Sequence, residues 1–317
     1  MRHPKRSKES RKIRRKIIPL TAKAWWSKYW FPLILLAVVV IGVSVYLLKN
    51  RETPVECTAD DLCVYVLDVG QGDCTILYNP DTAILIDGGE AEYGTKVLDA
   101  LRALKIRRLD AVINSHPHSD HLGGLNTVLE NIPTDMVYQP TYPDTLIPTG
   151  YNFERFLELV QEQHLQIVNP NCGETAKFGQ VEITFFCIDN SLREDLNDCS
   201  LVCRITHGDN SFLFTGDISK EAEQDFLAAE LIAPSKFLKC AHHGSGNSSS
   251  NEFLDAVSPK IAVISVGAFN DYGHPSDACL ERLFARTDSV YRTDIDGTIL
   301  FFSNGKTIQP NTHVTFK

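Results

Sequence analysis

The sequence predicts an α/β fold of the α+β kind: two sheets packed together with helices outside, a four-layer αββα arrangement, set behind one transmembrane helix. Three observations predict it. Strand-like and helix-like segments occur in two successive halves. A run of twenty residues carries no charge, and a histidine-rich segment joins a short strand to a helix. The 317 residues, 43% hydrophobic and 22% charged, suit one large globular domain plus an anchor, and nothing in them repeats at a fixed period.

Charge divides the chain. Residues 1–28 hold eleven Lys and Arg against one acid, Glu9, whereas residues 29–317 hold 20 basic and 39 acidic residues, a net −19. So acidic a body repels polyanions at long range, which argues against nonspecific DNA binding through a basic face. The uncharged residues 29–48 would form a helix of about 30 Å, the thickness of a bilayer core. Trp25, Trp26, Tyr29 and Trp30 stand where an aromatic belt belongs, and Lys49 and Arg51 close the far end. The positive-inside rule then makes residues 1–28 a cytoplasmic tail, 29–48 a single-pass anchor in the cell membrane, 49–60 a linker and 61–317 an extracellular domain. A cleaved signal peptide is the competing reading. It fits less well, because the run exceeds the usual apolar region of about 7–15 residues and no small-x-small site follows. All nine cysteines lie beyond the anchor, where disulfides are permitted. Cys57 with Cys63 is the favoured pair and Cys172 with Cys187 a second candidate, while Cys74, Cys203 and Cys240 read as small buried apolar residues.

In the first half, residues 64–69 and 74–78 are β-rich runs separated by Gly70-Gln71-Gly72-Asp73, and 83–86 follows a turn at Asn79-Pro80-Asp81. A helical pattern spans 92–105, a short strand 111–114 runs into the histidines, and 122–129 is helical again. In the second half Phe153, Phe156, Leu157 and Val160 have helical spacing. Strands are expected at 181–187, 201–206, 212–214, 237–240 and 261–265, helices at 222–231 and 277–286, and terminal strands at 298–302 and 307–316.

His116, His118, Asp120 and His121 place four N and O donors within six residues at a strand-to-helix junction, so one segment can serve two divalent ions. Imidazole and carboxylate suit Zn²⁺, Mn²⁺ or Fe²⁺ without selecting sharply among them. Gly123-Gly124 lets backbone pack close behind. A surface histidine cluster is the bland alternative, and the spacing and setting oppose it.

His116-x-His118-x-Asp120-His121 resembles the defining motif of the metallo-β-lactamase superfamily. The resemblance implies that Asp217, in Thr215-Gly216-Asp217, bridges the two metals, and that a histidine of Ala241-His242-His243-Gly244-Ser245 is the last ligand. His243, directly before the glycine, is favoured and His242 is the close alternative; adjacent strand residues point oppositely, so the two are not expected to bind one ion together. More narrowly, residues 62–303 resemble the C-terminal domain of ComEC-type DNA-uptake proteins. The matching segments are Leu67-Asp68-Val69-Gly70-Gln71-Gly72-Asp73, Leu85-Ile86-Asp87-Gly88-Gly89, Asn197 with Ser200-Leu201-Val202, His242-His243-Gly244-Ser245, Tyr272-Gly273-His274-Pro275-Ser276 and Tyr291-Arg292-Thr293-Asp294 with Asp296-Gly297. Many superfamily members supply a further histidine where this chain reads Asn197-Asp198-Cys199-Ser200. The first metal would thus rest on His116, His118 and Asp217 with Asn197 or water. His207 reads as a turn residue.

Coordination to two ions lowers the pKa of water from about 15.7 to near 7, making a strong nucleophile at neutral pH. Asp120 and His274 are the candidate catalytic residues, His274 to protonate a departing alkoxide or to contact phosphate. Asp73 and Asp87 are candidate second acceptors behind the ligand imidazoles, or turn-capping residues beside glycines. Ser245 opens a Gly/Ser/Asn-rich loop that borders the cleft or is merely flexible. Arg292 either neutralises a phosphate or pairs with Asp294 or Asp296. The expected function is a metal-dependent phosphodiesterase outside the cell, acting on DNA or on a phosphorylated wall polymer, with competence or cell-wall machinery as partners. A lactonase or β-lactamase-type hydrolase and a non-catalytic module assisting DNA uptake are the alternatives.

Overall fold

The computed structural model describes residues 30, 32–41 and 56–316. The chain divides into two units, residues 1–55 and 56–317. In the first, residues 32–41 are helical, with exposed apolar side chains such as Leu35 and Ile41. Among the described residues no helix is long and apolar enough to cross a membrane. The remainder of the expected 29–48 span, the basic tail and residues 49–55 of the linker lie outside the described residues.

The second unit is built from two sheets of like plan. In the first sheet β1 (Leu62–Val66), β2 (Thr75–Asn79) and β3 (Thr82–Ile86) form an antiparallel meander. The chain then alternates helix and strand: α1 (Gly94–Ala103), β4 (Ala111–Ile113), α2 (Ser119–Asn131), β5 (Met136–Tyr138), α3 (Tyr151–Glu162) and β6 (Gln166–Val168), with β3 to β6 parallel. The second sheet repeats this. An antiparallel run of β7 (Thr175–Phe178), β8 (Val181–Phe186), β9 (Val202–His207) and β10 (Asn210–Phe214) gives way to α4 (Lys220–Ala228), β11 (Phe237–Lys239), α5 (Asn251–Val257), β12 (Ile261–Ile264), α6 (Asp277–Phe284) and β13 (Ser289–Arg292), with β10 to β13 parallel. Finally β14 (Ile299–Ser303) and β15 (Ile308–Asn311) return to the open edge of β1.

The strand period of two sorts side chains between layers. Val64 and Val66 of β1, Leu77 of β2, Ile84 and Ile86 of β3 form one buried cluster with Ile183 and Phe185 of β8, Cys203 and Ile205 of β9, and Phe212 and Phe214 of β10. Residues alternating with these in β1, β3 and β10 are also buried, whereas Thr184 of β8 and Arg204 of β9 are half-buried. Leu213, Leu238 and Ala262 on the other face of the second sheet pack with Phe226 of α4, Phe253 of α5 and Leu283 of α6. Ile76, Leu85 and Val112 of the first sheet are likewise inaccessible. With both faces covered, β1 and β3 read as continuous apolar runs. Each such Val, Leu, Ile or Phe contributes roughly 1.5–3 kcal/mol through burial.

The expected two-sheet layering is therefore observed. Strands β5, β6, β7 and β13 and helix α5 had no clear sequence signal. The strands are three or four residues long, and β6 and β7 are partly exposed edges without a buried alternation. The lead into α5 is the Ser/Asn-rich stretch read as loop, yet Ser250 caps the helix by accepting from the Phe253 amide. Cys57 and Cys63 form a disulfide with Cα atoms 6.2 Å apart. Cys172 and Cys187 are unpaired, which corrects the second candidate pair, and Cys74, Cys203 and Cys240 are buried thiols.

Candidate metal centre

Parallel strands deliver the site residues. Asp87 follows β3, Ser115 to His118 follow β4, Asp217 follows β10, and His242 and His243 follow β11. All leave the C-terminal ends of strands, where open α/β sheets bind ligands. Helix α2 begins beside the histidines, so Asp120 and His121 occupy its first turn, Asp120 at the favourable end of the helix dipole. Two backbone contacts seat that turn. The Asp73 amide donates to the Asp120 carbonyl across Gly72, and a Cβ on Gly72 would fall 2.3 Å from that oxygen. A Cβ on Gly124 would fall 2.0 Å from the Gly88 carbonyl oxygen. Asp87 itself takes a left-handed conformation, φ 56°, to turn its carboxylate under the helix.

One group of donors surrounds His118. Its Nδ1 lies 3.1 Å from His116 Nε2 and 2.9 Å from Asn197 Oδ1, so three donor atoms converge. A second group surrounds Asp217 and joins Asp120, His121 and His243. Asp217 Oδ2 is 3.3 Å from His121 Nε2 and 3.4 Å from His243 Nε2. Asp120 Oδ2 is 3.1 Å from His243 Nε2 and 3.9 Å from His121 Nε2. Ligand atoms about 2.0–2.1 Å from a tetrahedral Zn²⁺ stand about 3.3 Å apart, so these four fit one divalent ion. His121 Nε2 supports the same reading: it is buried without a hydrogen-bond partner, a state that a metal bond relieves.

Behind the ligands a polar layer fixes ring orientation. Asp87 Oδ1 accepts from the Ser115 amide at 2.7 Å, and its Oδ2 accepts from Ser115 Oγ at 2.7 Å and from His121 Nδ1 at 2.9 Å. Ser115 Oγ is also 3.1 Å from His116 Nδ1. His243 Nδ1 donates to the Ser265 carbonyl at 2.9 Å. The Asp217 amide donates to Ser200 Oγ at 3.0 Å. With Nδ1 occupied in His116, His121 and His243, each presents Nε2 to the centre.

The electrostatics match. Burial would neutralise Asp217, but the His121 and His243 imidazoles beside it hold its carboxyl well below the usual range. Burial works against the charged forms of His121 and His243 too, and Asp217 leads the carboxylates that raise both well above an ordinary histidine. His116, wholly buried and beside His121, is pushed well down. A divalent cation answers this crowding of carboxylates.

Of the two adjacent histidines, His243 is buried within the cluster. His242 is one-third exposed with Nε2 4.0 Å from Asp217 Oδ2. Both adopt left-handed φ near 51°, so they lie in a turn and not in a strand, and the expected strand alternation does not separate them. The centre opens into a cleft of about 440 Å³ lined by Gln71, Glu90, Tyr93, His118, Tyr272 and His274 among others. Among the described residues, no Lys or Arg lines it. His274 stacks on Tyr272 and meets His242 edge-on at 5.6 Å. Burial, then the nearby His242, lowers its pKa.

Three residues lie elsewhere. Arg292 forks onto Asp294, with Nη2 2.6 Å from Oδ2, and does not line the cleft. Ser245 is nearly buried, its Oγ accepting from the Asn247 amide within a turn. His207 is a buried tie at the end of β9, its Nδ1 2.8 Å from Ser303 Oγ and its Nε2 3.2 Å from the Asp60 carbonyl, where sequence suggested a turn residue. Lys239 ends β11 against Asp73, and one charge in an apolar strand is its only signal in the sequence.

This strand-end cluster of histidines and aspartates between two sheets defines a metal-site hydrolase fold, and the chain belongs to the metallo-beta-lactamase superfamily, whose family model matches residues 67–268. Within it, the chain is 30% identical to ComE operon protein 3 of Bacillus subtilis (strain 168), over 77% of this chain and 33% of that protein. It is 32% identical to Competence protein ComA of Neisseria gonorrhoeae, over 76% and 32%, and 29% identical to Recombination protein 2 of Haemophilus influenzae, over 78% and 30%. The chain thus spans about a third of the length of these curated relatives. Among solved structures, the metallo-beta-lactamase fold protein YhfI from Bacillus subtilis shares the fold, with a TM-score of 0.52 at 18% identity over 77% of this chain and 100% of that one.

Proposed function

We propose that the chain is a two-metal phosphodiesterase, with Zn²⁺ or Mn²⁺ bound on either side of Asp217. The observation that carries this is the pair of donor groups: His116, His118 and Asn197 converge in one, and Asp120, His121, His243 and Asp217 in the other. Bound ions would supply an activated water and charge stabilisation for the phosphoryl group. The chain's own residues do the rest. Asp87 and Ser115 hold His116 and His121 in the ligating orientation, and Asp120 serves the reacting centre from the first turn of α2. His274, kept neutral at pH 7 by burial, contacts a phosphoryl oxygen from the cleft wall.

The competence proteins among the relatives point to nucleic acid as substrate and to DNA-uptake machinery as partner; a wall polymer and its machinery form the second candidate pair. The net −19 of residues 29–317 and a cleft without Lys or Arg favour the phosphodiester bond itself over a long polyanion track as the recognised element. Residues 29–48 are proposed as a single-pass anchor with residues 61–317 outside the cell, supported by the basic flank and the uncharged run.

Purified full chain, loaded with Mn²⁺ or Zn²⁺, should turn over bis-p-nitrophenyl phosphate or single- or double-stranded DNA faster than nitrocefin or a lactone, and the Asp120→Ala variant should not. Turnover confined to nitrocefin or lactone, or phosphodiester turnover equal in Asp120→Ala, refutes the proposal.

A further inference from the structure

Lys239 is 2% exposed and faces the layer between the sheets, on the same side of β11 as core residue Phe237. An apolar residue is what that position asks for. Instead its Nζ lies 2.6 Å from Asp73 Oδ2 and donates to the Cys240 carbonyl at 2.8 Å. Asp73 is also buried and is anchored at both backbone groups, its amide donating to the Asp120 carbonyl and its own carbonyl accepting from the Gly89 amide. Its carboxylate stands behind both imidazoles of the second donor group: Oδ1 is 3.3 Å from His243 Nδ1, and Oδ2 is 4.0 Å from His121 Nδ1. Oδ1 has no hydrogen-bond partner of its own. A buried ion pair is generally no more stabilising than apolar residues of the same volume. Its place behind two ligand rings gives it a different use.

We infer that Lys239 is a positioning residue: by holding Asp73 in place it backs the rings of His243 and His121, which Ser265 and Asp87 orient, and so helps to keep their Nε2 atoms toward the ion. Lys239 touches neither ion nor substrate. The inference rests on the metal centre proposed above but not on the substrate.

The sign of the effect separates this role from simple electrostatics. Removing a cation near a metal site should tighten cation binding if charge alone mattered. Removing a positioning residue should weaken it, by about ten- to a hundredfold for groups behind ligands. The full chain is titrated calorimetrically with Zn²⁺ alone, as wild type, Lys239→Met and the double variant Lys239→Met/Asp73→Leu. The double variant keeps the net charge and replaces the pair by apolar residues, a change buried pairs tolerate, so it carries the test if Lys239→Met does not fold. About ten- to a hundredfold weaker binding in the folded variants is the expected result. Unchanged or tighter binding, with only the melting temperature of the metal-free chain lowered, overturns it and leaves Lys239 a tie between sheets. A wild type that binds Zn²⁺ but hydrolyses no phosphodiester refutes the proposed activity and leaves this inference standing.

Discussion

His207 and His243 both stand before a glycine at the end of a strand-like run, yet only one reaches the metal centre. His243 enters a left-handed turn and meets Asp120 and Asp217, whereas His207 closes β9 against Ser303 and the Asp60 carbonyl. Residue type cannot separate them. The resemblance to relatives could, because it reads the following Gly244-Ser245 as well. Asn197 was legible in the same way, and its oxygen does converge with His116 and His118. Lys239 was not, since its meaning lies in Asp73, distant in sequence. The buried His207 carries a testable pH dependence. Burial lowers its pKa, so below about pH 6.5 the unfolded chain binds more protons than the folded one and stability falls on acidification. Thermal melting of the metal-loaded chain should therefore decline more steeply between about pH 7 and pH 5.5 in wild type than in His207→Gln. Parallel declines would show that His207 stays protonatable in the fold.

At the scale of elements, the position of α2 decides the site, because Asp120 and His121 ride on its first turn. The helix approaches the Asp87-Gly88-Gly89 turn so closely that the Gly124 amide donates to the Gly89 carbonyl at 2.8 Å and a Gly124 Cβ would fall 2.0 Å from the Gly88 carbonyl oxygen. Gly124→Ala should destabilise the chain by about 1–3 kcal/mol or more, read as a lower melting temperature, since a backbone oxygen cannot move aside as a side-chain tip can. An unchanged melting temperature would mean that α2 has slack. Gly123-Gly124 announced this close approach in the sequence. The short parallel strands β5 and β13 did not announce themselves, because three or four residues carry too little pattern and pairing with neighbours fixes them. The consecutive left-handed residues at His242 and His243 were equally hidden, since the segment around them reads as strand.

On the scale of the whole molecule, two antiparallel-then-parallel sheets each carry ligand loops at their strand ends, and Asp217 from the second sheet sits against His121 beside the first. Binary pattern revealed this layering, and the histidine spacing revealed the chemistry. Residues 29–317 are acidic and, among the described residues, no Lys or Arg lines the cleft, so in the proposed reading the attraction for phosphate would come from bound ions rather than from a basic surface. The proposed function thus depends on two metal ions held around Asp217. Metal content by mass spectrometry, on the full chain dialysed against Zn²⁺, tests it most directly. Two ions per wild-type chain and loss of both in Asp217→Asn are the predicted result; one ion or none in wild type, or two retained in Asp217→Asn, would contradict it.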